Sequence, residues 1–176
     1  MTRSGWGLIT GGVLWLAGVG LLESGRDIES WSVRVGFTAA GILIAVDLVA
    51  LRARLPSRVA RVGVVALAAA AAGVGVGVAS DSYPGFLAAY VGLLFVIPVS
   101  MALFGLGLWR GGGLPAWATW IPLLLAGAGV VTYGFHAIAR EIWDPPDSVM
   151  FLILGLGWLL VGVAALQRPS DQVVAH

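Results

Sequence analysis

Six runs of apolar residues, separated by short polar or turn-forming segments, make up almost the whole chain. They extend from Gly5 to Leu22, Trp31 to Leu51, Val62 to Ser80, Phe86 to Trp109, Trp117 to Ala139 and Val149 to Leu166. At about 1.5 Å of rise per residue, each is long enough as a helix to cross a hydrocarbon core of about 30 Å, the first and last only just. The runs show no strict alternation of apolar and polar positions, so they read as helices and not as barrel strands. Their glycine and β-branched residues do not argue against this, because helices in lipid tolerate both. The expectation is an all-α, polytopic integral membrane protein: a single bundle of six transmembrane helices with short loops, and a polar tail over residues 168–176.

The breaks between runs carry turn chemistry. Tyr83-Pro84-Gly85, Gly111-Gly112-Gly113-Leu114-Pro115 and Asp144-Pro145-Pro146-Asp147 each stop one helix and admit the next. Connections this short make consecutive helices antiparallel neighbours. No convincing small-x-small cleavage site precedes Glu23, and the first run exceeds a usual signal-peptide core, so it reads as a retained span. Sliding the chain so that Ala40-Gly41 falls on Ala128-Gly129 lays Arg52 on Arg140, which leaves open an inverted repeat of two three-helix halves.

Composition agrees with this pattern. Of 176 residues, 59% are hydrophobic and 11% are charged. A soluble domain carries about 25% charge to cover its surface, so the outer face of this chain calls for lipid. A net charge of +1 offers a nucleic acid no footing. The absence of cysteine removes thiolate chemistry and Cys-ligated metals. The ten basic residues are all arginine, and with the abundant Ala, Gly and Val this suggests a bacterial inner membrane.

Arginine placement sets the expected orientation. With the N-terminus inside, Arg3, Arg52, Arg54, Arg58, Arg61, Arg110 and Arg168 are cytoplasmic, against Arg26, Arg34 and Arg140 outside. Both termini are then cytoplasmic. Trp6, Trp109, Trp117 and Trp120 mark the inner boundary and Trp31 and Trp143 the outer, whereas Trp15 and Trp158 fall near the bilayer centre. Each of these two indoles needs a partner for its N–H: they either line a shared cavity or bond carbonyls in a packed core.

Polar residues at membrane depth are the candidate functional positions, because they are costly there. Asp47 is the one acidic residue within an apolar run. It reads either as a proton- or cation-coupling carboxylate or as a partner of Arg61 or Arg54. Pro98 removes the hydrogen bond to the carbonyl of Leu94 and predicts a kink, with Ser100 just beyond it. A second candidate, for a polar ligand or a pairing network, gathers Arg34, Tyr133, His136, Arg140 and Glu141 at the outer end. Tyr133, His136 and Arg140 share one helix face by their spacing. No cofactor or metal is expected: the two histidines include His176 in the tail, and Glu141 falls far around the helix from His136. Glycine pairs at small-xxx-small spacing, Gly7/Gly11 and Gly73/Gly77, read as intramolecular packing in preference to a dimerisation motif.

Sparse intramembrane polarity favours an accessory, structural or partner-binding membrane subunit, with the bilayer and a membrane protein or a second copy as partners. The alternatives are a small-solute or ion transporter built on Asp47, Pro98 and Ser100, and a lipid-active enzyme using the face around His136. Topology is directly testable. Reporter fusions should give cytoplasmic signal after Gln167 and exported signal after Tyr83; an exported signal after Gln167 contradicts the orientation.

Overall fold

The computed structural model describes residues 5–25, 30–80, 82–139 and 147–167. The described residues are almost entirely helical. Helix α1 spans Trp6–Glu23, α2 Trp31–Arg52 and α3 Arg58–Ala79. Helix α4, Tyr83–Val91, continues through a π-helical segment, Gly92–Val96, into α5, Ile97–Gly111. A short 3-10 turn, Ala116–Ala118, precedes α6, Ile121–Ala139, and α7 covers Asp147–Leu166. Counting α4, the π segment and α5 as one rod gives six helices. Three of them, α1, α2 and α3, are long and apolar enough to cross a membrane.

The helices pack in chain order and the order closes on itself. Helix α1 lies against α2, α2 against α3, α3 against α5, α5 against α6, α6 against α7, and α7 against α1. One hydrophobic cluster joins them, and its bulkiest members are Trp15, Trp158, Phe37 and Phe104. The outward positions are equally apolar, including Val46, Val62, Val76, Phe95, Val99, Leu124 and Leu156. A helix apolar all round suits hydrocarbon and not water. Among the boundary tryptophans, Trp6, Trp31, Trp109, Trp117 and Trp120 are exposed, as a belt requires, whereas Trp15 and Trp158 are fully buried.

Glycine sets the helix spacing. Hydrophobicity supplies no drive between helices in lipid, so association rests on close packing, and a missing Cβ is what permits it. Gly11 faces the Ala40 carbonyl of α2, and Gly41 of α2 faces the Ala71 carbonyl of α3. Gly63 of α3 abuts the Phe104 backbone, and Gly107 of α5 abuts the Ala60 backbone. Gly105 receives Leu123 of α6, Gly157 receives Leu125, and Gly12 and Gly155 receive Leu159 and Leu16 across the α1–α7 seam. Every seam of the ring therefore holds at least one glycine. Of the pairs at small-xxx-small spacing, Gly7 and Gly11 both face α2 and Gly77 faces Gly85 and Ala89, which is packing within the chain; Gly73 faces open space.

Two departures from the sequence pattern have local causes. Helix α3 starts at Arg58, because the Ser57 side chain caps it by accepting from the Ala60 N–H at 3.4 Å. Arg58 and Arg61 thus stand on the first turn of a helix and not in a loop. The break expected at Pro98 takes the form of the π segment: the Ile97 N–H reaches back to the Gly92 carbonyl, widening the coil ahead of the proline ring. Pro122 sits in the first turn of α6, where its missing N–H costs little.

The glycine seams make a sharp prediction. Gly107→Val should push Cβ into the Ala60 backbone and destabilise the protein by about 1–3 kcal/mol or more. Gly73→Ala, with nothing near its Cβ, should be neutral or stabilising by up to about 1 kcal/mol. Thermal unfolding of both variants in one detergent checks the contrast; equal losses would remove the packing role.

Candidate functional site

The polar centre of the structure is built at the end of the ring where α1 begins and α2 and α7 finish. Helix α1 starts on Gly5, whose φ of 129° is glycine territory and which has no side chain to cap the helix. The first turn of any α-helix exposes amide hydrogens without intrahelical acceptors, and in hydrocarbon water does not supply them. Asp47 does. Its Oδ2 accepts from the Gly5 N–H at 2.5 Å and from the Leu8 N–H at 3.0 Å. Asp47 lies five residues before Arg52, roughly 7.5 Å inside the end of α2. Helix α1 therefore begins alongside the last turns of α2 and not level with its end.

A carboxylate at a helix N-terminus meets the positive end of the helix dipole. Gly7 makes the approach possible: a Cβ there would stand 3.0 Å from the Asp47 Cγ. Asp47 is buried. Its described partners are these backbone amides and not the arginines that its position in the sequence suggested. Arg61 instead donates to the Pro56 carbonyl at 3.5 Å, and Arg54 donates to the Ala165 carbonyl at 3.3 Å. The Arg54 contact mirrors that of Asp47, because it places a cation on the last carbonyls of α7, a helix with no basic residue in its own last turn.

The other intramembrane candidates separate. Ser100 is 2% exposed and Pro98 is buried, both on α5 just past the π segment. Neither shares a hydrogen bond with Asp47. Of the two central tryptophans, Trp15 finds a carbonyl partner in a packed core. The Trp15 indole donates to the Phe151 carbonyl at 3.0 Å, and its ring stacks edge-on against Phe37 at 5.1 Å, with Phe151 5.9 Å away. These contacts lock α1, α2 and α7 together. Trp158 is 0% exposed, and its indole N–H has no acceptor among the described residues.

At the opposite end of the ring, Arg34 is half-buried and lines a groove of about 470 Å³ with Trp31, Val35, Thr38, Ala39, Ile42 and Ala79, between α2 and α3. Thr38 seals the same seam by donating to the Gly75 carbonyl at 2.9 Å. Tyr133 and His136 fall on α6, which packs against α5 and α7. Their side chains, with Arg140 and Glu141, lie outside the described residues, so the expected convergence around His136 does too.

Sequence reasoning picked out Asp47 by its depth but not its role. The signal was present in a weaker form: a helix start at Gly5 without a capping side chain, opposite a lone carboxylate on the adjoining helix. Comparison with protein-family models, with characterised proteins and with solved structures finds no match.

Asp47→Ala leaves two amides without an acceptor in an apolar setting and should lower stability by roughly 2 kcal/mol. Asp47→Asn, which keeps one acceptor oxygen, should lose less. Thermal unfolding in mild detergent checks both, and an unchanged midpoint for Asp47→Ala would rule out the capping role.

Proposed function

We propose that this chain is a small six-span membrane protein of accessory or structural type, whose work is to hold a partner or to stabilise a complex within the bilayer. The observation that carries this reading is the engagement of Asp47. The one carboxylate at membrane depth that suits ion or proton coupling already holds the α1 amide hydrogens, and the space between the helices is filled by Trp15, Phe37, Phe104 and Trp158. A coupling carboxylate needs room to exchange protons or ions, and this one is fixed by two hydrogen bonds.

The six spans are α1, α2, α3, the continuous rod of α4 through α5, α6 and α7. The arginine bias of the α2–α3 turn supports a cytoplasmic location for that turn and both termini, and the Arg, Ala, Gly and Val usage supports a bacterial inner membrane. Partners then meet the bundle through its apolar outer face, as another membrane protein or a second copy would.

One observation favours a second reading, permeation of a small solute or ion. The π segment Gly92–Val96, followed by Pro98 and the buried Ser100, is a local widening of a kind that recurs at functional sites. The lipid-active enzyme rests on the His136 face and so on side chains outside the described residues.

Flux separates the first two. In proteoliposomes carrying a pH or cation gradient, the accessory reading expects no dissipation above protein-free vesicles, for the native chain and for Ser100→Ala alike. Gradient-linked flux that Asp47→Asn abolishes, with thermal stability preserved, would overturn the accessory reading in favour of transport.

A further inference from the structure

The outer flank of α3 carries a groove whose two ends differ in chemistry. Its mouth is formed by Arg52 at the end of α2 and by Arg58 and Arg61 on the first turn of α3. Its floor continues along Val62, Val65, Ala66 and Ala69, and its volume is about 620 Å³. All three arginines are exposed, and among the described residues no carboxylate lines the groove.

The charges at the mouth are unfavourably placed for the helix that carries them. A helix N-terminus bears partial positive charge from its aligned peptide dipoles, and acidic residues are the usual occupants of the first turn. Helix α3 has none there and has Arg58 and Arg61 in their place. Arg52 adds a third cation from the facing helix end. Three guanidinium groups and a helix start therefore share one mouth, and an anion seated among them relieves their mutual repulsion. Phosphate oxygens suit this arrangement, because guanidinium binds them through paired N–H donors.

The floor defines the rest of the ligand. From Arg58 to Ala69 the helix advances roughly 16 Å, which is about half of a 30 Å hydrocarbon core and so the depth of one leaflet. Positions 58, 62, 65 and 69 recur at helical spacing on one exposed stripe, so the apolar floor runs straight down from the charged mouth. Small and β-branched side chains leave that stripe shallow enough for an acyl chain to lie along it. A soluble anion would use the mouth and leave the floor empty, whereas an amphiphile uses both.

We propose that this groove binds one anionic phospholipid of the leaflet that meets the α2–α3 turn, with its phosphate among Arg52, Arg58 and Arg61 and an acyl chain along Val62, Val65 and Ala69. The proposal rests on the membrane-spanning reading above. Basic pockets beside helix ends are a recurrent mode of headgroup recognition. What distinguishes this one is the union of three cations, a helix N-terminus and an apolar track one leaflet deep.

The test uses the full chain purified in mild detergent, titrated with phosphatidylglycerol or phosphatidylcholine of matched acyl chains and followed by native mass spectrometry. The expected result is a one-to-one phosphatidylglycerol adduct at least tenfold tighter than the phosphatidylcholine adduct. The double variant Arg58→Gln/Arg61→Gln should lose that preference, whereas Arg110→Gln, which replaces an arginine outside the groove, should keep it. Ala69→Trp, which fills the floor and leaves the mouth intact, should weaken phosphatidylglycerol binding at least severalfold. Circular dichroism and melting of each variant establish that it is folded. Equal affinity for the two lipids, or a preference that survives the double variant, overturns the proposal. Displacement of the lipid by millimolar inorganic phosphate assigns the mouth to a free anion and overturns it as well. A chain that partitions into the aqueous phase instead of detergent fails the membrane reading itself, which is a separate outcome from a membrane-inserted chain without lipid preference.

Discussion

Backbone-to-backbone approach at glycine is the constraint on which this structure depends. In water a bundle this apolar would collapse by excluding solvent, and the detailed shape of its seams would be secondary. In hydrocarbon the outside is as comfortable as the inside, and helices stay together only where their surfaces fit. Gly11 on Ala40, Gly41 on Ala71, Gly63 on Phe104 and Gly107 on Ala60 supply that fit. They bring carbonyls and Cα atoms into direct contact across the seams, and large side chains are left to fill the middle.

Close packing leaves the helix ends to be settled, and α2 with the turn that follows it does this for α1 and α7. Asp47 completes the amide end of α1, and Arg54 reaches the carbonyl end of α7. One acidic and one basic residue, seven positions apart in the sequence, thus serve the two opposite poles of helix polarity at the same end of the ring. This also ties the seam between α1 and α7, where Gly5 lies against Gly162 and Leu166, to the helix that follows α1.

Much of this architecture is legible in the sequence because depth is a one-dimensional quantity. The apolar runs, the turn residues between them and the central depth of Trp15 and Trp158 all follow from counting along a helix of known rise. What is not legible depends on azimuth and on neighbours. The partner of Asp47 is a pair of peptide N–H groups, and since every residue but proline has one, no letter marks them out. Arg58 and Arg61 read as loop residues because charge ends an apolar run, yet the Ser57 cap starts α3 ahead of them. The π segment before Pro98 was visible only as a break, since the sequence marks where a proline interrupts the ladder and not how the backbone closes around it. Around His136 the sequence pattern stands alone, its side chains being outside the described residues.

The closed chain order of the helices has a consequence for biosynthesis. Helices leave the ribosome in sequence, so α1 meets α2, and α2 meets α3, soon after each is made. The α1–α7 seam is different: among the described helices α1 is made first and α7 last, so Gly12, which receives Leu159, waits for α7. Until then α1 is held on one flank only, by α2 and by the Asp47 carboxylate that fixes its start. Without α7 the described helices form an open arc with one flank of α1 uncovered, and α7 converts that arc into a ring.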